Sequence, residues 1–258
     1  MSGEKSLESQ KVSIVCCYTS KAKLRYLDCS LDEQDMAVEK VFIDNSQGRF
    51  GSAASALNYG ANMSSGDLIL FCHQDIRFKH SDSLSRLVKA ASSTLKPGDV
   101  GGVAGAINKK LYMTITHGEH EAAYSPAYLF NGDSVEVETV DECVIILPRE
   151  TWLGHHFDEV VCDNWHFYGV EQCLYALAHN HNVYVLSADV NHLSSRGKIN
   201  DTYYRALRRL MRAYENKFDY VSTTVGYWPR RHLESAIAKR RIFECTRAIA
   251  VRLGIRDA

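Results

Sequence analysis

The sequence has few of the features that sort a protein at first sight. No stretch approaches the roughly 20 consecutive apolar residues that a bilayer span requires, so a membrane-spanning helix is not expected. The opening MSGEKSLESQK is polar and charged, unlike a signal peptide, and reads as a disordered tail over residues 1–11. Eight cysteines form no CxxC pair, which argues against zinc-ribbon or thioredoxin-like chemistry. Several lie inside apolar runs (VSIVCCY, LILFC), so buried, reduced thiols in a cytoplasmic protein are expected. A formal net charge of -1 provides no basic surplus for nucleic acid. The chain has no internal repeat. The turn after the first apolar run, Tyr18-Thr19-Ser20-Lys21, contains no glycine and so excludes the dinucleotide-binding G-x-G-x-x-G turn. Val12 to Arg25 also lacks the glycine-rich basic loop of a nucleotidyltransferase, leaving that activity a minor alternative.

With 258 residues, 45% hydrophobic and 24% charged, the chain suits one large α/β domain, with or without a small appendage. Val12 to Tyr18 and Leu68 to Cys72 are continuous apolar runs, the signature of strands covered on both faces. Val38 to Asp44 reads as a strand between them, and Ser52 to Met63 as a helix. A helix capped at Ser81-Asp82-Ser83 is expected to run to about Ser93. Val100 to Ala106 is a glycine-rich strand, and Val140 to Leu147 another strand. Helices are expected over His166 to Ala178, Asp201 to Phe218 and about Arg230 to Leu253, with one late strand over Val183 to Val190. Strands alternating with helices imply a mostly parallel sheet, whose ligands bind at the carboxyl ends of the strands. The polar residues at those ends are Tyr18, Asp44-Asn45, His73-Gln74-Asp75 and His192.

A carboxylate emerging from a buried strand, as Asp75 does, can hold a divalent cation that also binds a diphosphate; a turn or helix-cap role is equally open. The stretch before it adds weight. Asn58-Tyr59-Gly60-Ala61-Asn62, then Gly66-Asp67-Leu68-Ile69-Leu70-Phe71, then His73-Gln74-Asp75 resembles the family-2 glycosyltransferases of GT-A fold. It is most similar to a bacterial capsule- and polysaccharide-type subgroup whose Asp-x-Asp motif reads His-Gln-Asp. Trp165-His166-Phe167-Tyr168-Gly169-Val170-Glu171-Gln172 resembles the same subgroup's H-F-Y-G-V-D/E stretch. The resemblance covers approximately Val12 to Gly197.

It implies a GT-A domain over residues 12–198, a mostly parallel sheet flanked by helices, followed by a helical extension over 199–258. It implies transfer from a nucleoside diphosphate sugar, UDP foremost, to a glycan or lipid-linked glycan in surface polysaccharide synthesis. Tyr18, Asp44, Asn45, Asn58, His73, Gln74 and Gly102 then fall around the nucleotide sugar. Asp75 and His192 become ligands of a divalent metal, manganese favoured over magnesium because an imidazole takes part. Glu171 sits where inverting members place the catalytic base, although a Glu in a first helical turn is also favoured by the macrodipole. Asp141, Trp165 and Tyr168 fall near the acceptor, with plain strand-start and core-packing roles as alternatives. His73 in place of an acidic ligand keeps a catalytically silent glycan-binding or scaffold protein open.

Charge is uneven along the chain. From Trp228 to Ala258 there are eight Lys/Arg against three Asp/Glu, or +5, which leaves -6 for the remainder. In this tail Ala238, Ile242, Cys245, Ile249 and Leu253 form an apolar stripe among arginines. Such a helix can pack on the main domain or a second copy of the chain, or lie on an anionic membrane through residues 230–256.

Overall fold

The structure, a computed structural model, describes residues 10–123, 127–128, 130–194 and 199–252, with backbone alone from 248. The expected tail over 1–11 falls mostly outside the described residues. The chain begins with β1 (Val12–Tyr18), α1 (Lys21–Asp32), β2 (Glu39–Asp44), α2 (Ala53–Met63), β3 (Leu68–Cys72), β4 (Ile76–Phe78) and α3 (Ser83–Thr94). Short strands follow: β5 (Val100–Gly102), β6 (Ala104–Ile107), β7 (Lys110–Met113), β8 (Ile115–His117), β9 (Ala122–Ala123), β10 (Ser134–Val137), β11 (Thr139–Val140) and β12 (Val144–Pro148). The chain continues through α4 (Arg149–Gly154), α5 (Tyr168–Ala178), β13 (Val183–Leu186), β14 (Val190–His192) and α6 (Asp201–Ala213). A hairpin, β15 (Tyr220–Ser222) and β16 (Tyr227–Pro229), leads into α7 (Leu233–Arg252).

Seven strands form the central sheet in the order β10-β13-β5-β12-β3-β1-β2. Only β12 and β10 run against the other five, so the sheet is mostly parallel, as expected. Its strands alternate strictly between two cores. Leu68, Leu70 and Cys72 of β3, with Val144 and Ile146 of β12, pack on α1 and α3 through Leu27, Leu31, Leu84, Leu87 and Val88. Ile69 and Phe71, with Ile145 and Leu147, face α2, α5 and α6. Period-two burial on both faces is why these runs are unbroken in apolar residues.

Several elements depart from the sequence expectation. Helix α1 was not foreseen, because only Leu27 and Leu31 of its apolar residues are buried along a mostly polar sequence. The glycine-rich strand is two strands parted at Val103, one in the central sheet and one in a small separate sheet. The late strand is also two. After Leu186 the chain leaves the central sheet, and β14 joins a second sheet, β4-β14-β8-β9. Beyond residue 199 the chain is not simply a helical extension. The hairpin inserts Trp228 into the same core as α6, and Ile237 of α7 follows it. The buried side of α7 carries Leu233, Ala236 and Ile237, whereas Ala238, Ile242 and Cys245 of the expected stripe point to solvent.

Gly66, in the loop between α2 and β3, passes close to the start of β1. A methyl group there would lie 2.6 Å from the Ser13 backbone nitrogen and 2.9 Å from the Val12 carbonyl carbon. Gly66 N–H donates to Ser13 Oγ at 2.7 Å, and Ser13 Oγ donates to Glu39 at 2.5 Å. Gly66→Ala must push backbone from backbone, and we expect it to cost about 1–3 kcal/mol, read as a lowered urea midpoint with an unchanged m-value. A midpoint equal to the wild type overturns this account of the glycine.

Candidate active site

Parallel pairing brings the ends of β1, β2 and β3 to one edge of the sheet. Tyr18 and Asp44 are register partners there. Burial, then the hydrogen bond with Asp44, raises the Tyr18 phenol's pKa, while hydrogen bonds from Ser46 hold the Asp44 carboxyl below its ordinary value. Beyond β3 the chain turns at His73-Gln74, and Asp75 arrives buried at 5% exposure. Antiparallel β12 starts at the same edge, since Val144 pairs with Cys72, so Asp141 and Glu142 stand beside the turn. The Cys143 carbonyl accepts the His73 N–H at 2.9 Å.

His192 arrives from the second sheet. In β14 it is paired with Ile76 on one side and His117 on the other. Leu193 N–H donates to the Asp75 carbonyl at 3.0 Å, and His192 Nε2 lies 3.2 Å from Asp75 Oδ1. Ser194 Oγ donates to the other carboxylate oxygen. Burial alone pushes the Asp75 pKa up, but the hydrogen bonds from His192 and Ser194 outweigh it and hold the group below the ordinary carboxylate range. Lys23, from the first turn of α1, stands 4.0 Å from Asp75 Oδ2. Burial and the neighbouring His192 push His73 down to about 4, so it is a neutral imidazole at pH 7.

Ligand atoms of His73, Asp75 and His192 lie within 4.8 Å of one another. One carboxylate and two imidazoles, the His73 ring being neutral, are a donor set that could hold a divalent cation. Around this cluster Asp141 Oδ2 accepts from Thr224 Oγ1 at 2.6 Å, so the β15–β16 turn reaches the site from 83 residues away. Tyr168 is buried, with its hydroxyl 3.3 Å from His73 Nε2 and from the Glu142 carbonyl.

Other residues singled out from the sequence have different surroundings. Gln74 Oε1 accepts the N–H groups of Thr19 (3.1 Å) and Ser20 (3.0 Å), locking the β1–α1 turn rather than pointing at a ligand. The Asn45 amide is spent within its own loop, with Nδ2 donating to the Phe50 carbonyl and Oδ1 accepting the Phe50 N–H. Asn58 is buried under α4, bonded to both backbone groups of Phe157 and to Trp152. Gly102 faces Val140, whose side chain a methyl group would meet at 2.6 Å. These are packing and loop-closing roles, so Asn45, Asn58 and Gly102 do not face the cluster. Trp165 is 43% exposed in the loop before α5.

Glu171 also stands apart. It is 1% exposed, with His155 Nε2 at 3.1 Å from both carboxylate oxygens and the Tyr214 hydroxyl donating to Oε1 at 2.6 Å. The face of α5 it occupies looks toward α4 and α6, where an acceptor has no entry to its oxygens. Glu142 is the contrasting carboxyl. Gly169, at the start of α5, packs on its stem, and its Oε1 is buried without a partner. Burial, then the charge of Asp141, lifts it to about 8. The only sequence signal for that contact is Gly169, where a methyl group would press on Glu142 Cγ at 3.1 Å and Ile145 Cδ1 at 2.7 Å.

The sequence of residues 14–214 matches the family described as "Glycosyltransferase like family". This match covers well over half of the chain, which belongs to that family. No curated protein matches it. Among solved structures, the chain is similar to residues 1–349 of S. aureus TarS in complex with UDP-GlcNAc, with a TM-score of 0.56 and 16% identity over 80% of this chain and 67% of that one. It is also similar to GalNAc-T7 with UDP, GalNAc and Mn2+, with a TM-score of 0.58 and 9% identity over 81% of this chain and 48% of that one. The full TarS structure matches with a TM-score of 0.56 and 15% identity over 80% of this chain, which spans only 40% of its length. The fold shared with these glycosyltransferases is GT-A.

Two outcomes check this description. Glu171→Ala strands the hydroxyl of Tyr214 and the ring of His155, and we expect a loss of roughly 1–3 kcal/mol in urea unfolding; an unchanged midpoint contradicts a structural role. Glu142 yields a pH signature. A carboxyl near 8 when folded, against about 4.3 unfolded, keeps its proton longer in the native state. Its contribution is present in full below about pH 4.3 and drains away as pH rises to about 8. Glu142→Gln cannot lose a proton, so between about pH 5 and about pH 8.5 stability should shift in favour of the variant. Parallel urea curves at the two pH values, with a constant difference, contradict this.

Proposed function

We propose that this chain transfers a sugar from a nucleoside diphosphate sugar, with UDP as the first nucleotide to test, onto a glycan or lipid-linked glycan, with inversion at the anomeric carbon. The observation that carries the proposal is the meeting of Asp75, His192 and His73 at the carboxyl edge of a GT-A sheet. The TarS complex with UDP-GlcNAc and the GalNAc-T7 complex with UDP and Mn2+ support a donor of this class and a divalent cation, manganese before magnesium. The bacterial polysaccharide setting follows from the His-Gln-Asp resemblance of residues 73–75.

In this reading Tyr18 and Asp44 lie where the base and ribose rest, at the ends of β1 and β2. Asp75, His192 and His73 would hold the cation, which when bound neutralises charge on the departing diphosphate. Lys23 adds a positive charge on the same side. Ser194 and the Leu193 N–H fix the Asp75 carboxyl and its backbone, so the cluster keeps its shape before substrate arrives. In this reading Asp141, which accepts from Thr224, orients acceptor hydroxyls, and the exposed ring of Trp165 offers a face for a sugar.

Thermal stabilisation by UDP should require manganese in the wild type and vanish in Asp75→Ala, each shift being read against that protein's own apo melting temperature, which the variant lowers by stranding His192 and Ser194. Metal-independent UDP binding by the variant refutes the cation site. The outward face of α7, with Ile242 64% and Phe243 48% exposed among arginines, supports peripheral contact with anionic lipid at the membrane bearing the acceptor. Ile242→Asp with Phe243→Asp should then abolish sedimentation with phosphatidylglycerol vesicles; equal sedimentation removes that part of the proposal.

A further inference from the structure

One side of the candidate site continues outward along two β-hairpins. Thr224 Oγ1 donates to Asp141 Oδ2 at 2.6 Å, and Asp141 Oδ1 accepts the N–H of Cys143 at 3.1 Å, whose carbonyl takes the N–H of His73. Thr224 lies in the turn joining β15 to β16, and beside that turn Ser222 pairs with Tyr227. From Ser222 to Thr224 the chain spans at most about 7 Å. Ser222 Oγ accepts the N–H of Lys109 at 3.2 Å, which fastens the β6–β7 turn to the second hairpin. Ile107 pairs with Lys110, so that turn is the two residues Asn108 and Lys109, with φ +43° and +68°. A two-residue turn of this left-handed kind ordinarily has glycine second. Lysine there bears a backbone cost, and its ammonium lies 4.6 Å from the centre of the Tyr227 ring. Next along the chain, the Lys110 ammonium lies 5.7 Å from the centre of the Tyr128 ring, which is 50% exposed. Each ring has a second tyrosine near it, Tyr220 at 4.8 Å and Tyr112 at 5.8 Å between centres. Both lysines are exposed, and among the described residues neither forms an ion pair. Glu138, which closes the same turns, has its oxygens on the Tyr220 hydroxyl (2.5 Å) and the Asn108 N–H (3.2 Å).

We propose that this strip binds the acceptor, and that the acceptor is an acidic glycan whose sugar residues bear carboxylates; the proposal rests on the sugar transfer inferred above. Two exposed cations without carboxylate partners call for an anion. The tyrosines beside them select its kind. A pyranose has a face of C–H groups that packs on a phenol ring, and a uronic acid joins that face to one negative charge. A lysine over an exposed ring is held weakly, so a sugar face can take its place there while the ammonium moves to the carboxylate. A polyol phosphate has the charge and no ring to stack; a neutral glycan has the ring and no charge. Two cations are also too few for a nucleic acid, whose binding grows with the number of phosphates neutralised. A sugar chain lying over Lys110 and Lys109 is led by the β15–β16 hairpin to Asp141, the residue that in this reading orients the reacting hydroxyl.

The test uses the full chain without donor or metal and measures, by calorimetry, binding of trigalacturonate and of its fully methyl-esterified form. At low salt the acid should bind about tenfold tighter than the ester, and added salt should shrink the difference. Lys109→Gly and Lys110→Met should each weaken the acid several-fold, and together bring it to the affinity of the ester. Lys109→Gly separates binding from folding, because glycine suits φ +68° and the urea midpoint should hold or rise. Tyr128→Ala should weaken acid and ester alike. Equal binding of acid and ester, no binding of either, or wild-type affinity in the double variant overturns the proposal. Equal affinity for tripolyphosphate or for a deoxythymidine trinucleotide also overturns it, since the strip is then a general anion patch. Failure of UDP to bind with manganese counts against the donor reading and leaves the trigalacturonate result standing. A preference for the neutral ester removes the acidic acceptor and leaves the donor reading intact.

Discussion

The approach of His192 to Asp75 is the constraint on which the candidate site depends. Asp75 is buried, and a buried carboxylate without partners would take up a proton. Two groups prevent this, the ring of His192 at the end of β14 and the hydroxyl of Ser194 just beyond it. That segment reaches Asp75 because the chain quits the central sheet after Leu186 and pairs β14 with β4, directly beyond the turn that carries Asp75. Had Val183 to Val190 run on as one strand, His192 would have extended beyond the sheet edge. The break at residues 187–189 is thus as important to the site as either ligand.

The structure buries its acidic groups in two ways. Asp75 and Glu171 have donors on their oxygens and are fixed in place. Glu142 is pressed between Asp141 and the opening turn of α5 with an oxygen unpaired, and its affinity for a proton rises accordingly. Separation of the affinities of neighbouring carboxyls by environment is how a site assigns proton-holding and charge-holding tasks to one residue type. Asp141 is held below its ordinary value: burial opposes this, and the hydrogen bond from Thr224 leads the groups that overcome it.

The segment beyond residue 199 is part of the same body. Trp228, Tyr203 and Ile237 belong to the core that contains β3 and α5, and Thr224 bonds to Asp141. The hairpin therefore supports the floor of the site, and α7 carries its charged, partly apolar outer face away from it.

Much of this was legible in the residues themselves. Continuous apolar runs at Val12 to Tyr18, Leu68 to Cys72 and Val140 to Leu147 marked the buried strands, because a strand covered on both faces has no polar side to show. The order of polar residues after those runs located the edge where Tyr18, Asp44, His73 and Asp75 gather. The sequence could not separate residues that face a ligand from residues that hold the scaffold. Asn45, Asn58 and Gln74 carry the same amide, yet their hydrogen bonds are spent on Phe50, Phe157 and the β1–α1 turn. Nor could it distinguish Glu171 from Glu142, because the difference lies in which oxygens have partners. Local pattern fixes which segments are strands and where they end. The tertiary structure alone decides how a buried polar group is satisfied, because its partners come from 43 residues away for Glu171 and Tyr214 and from 119 for Asp75 and Ser194.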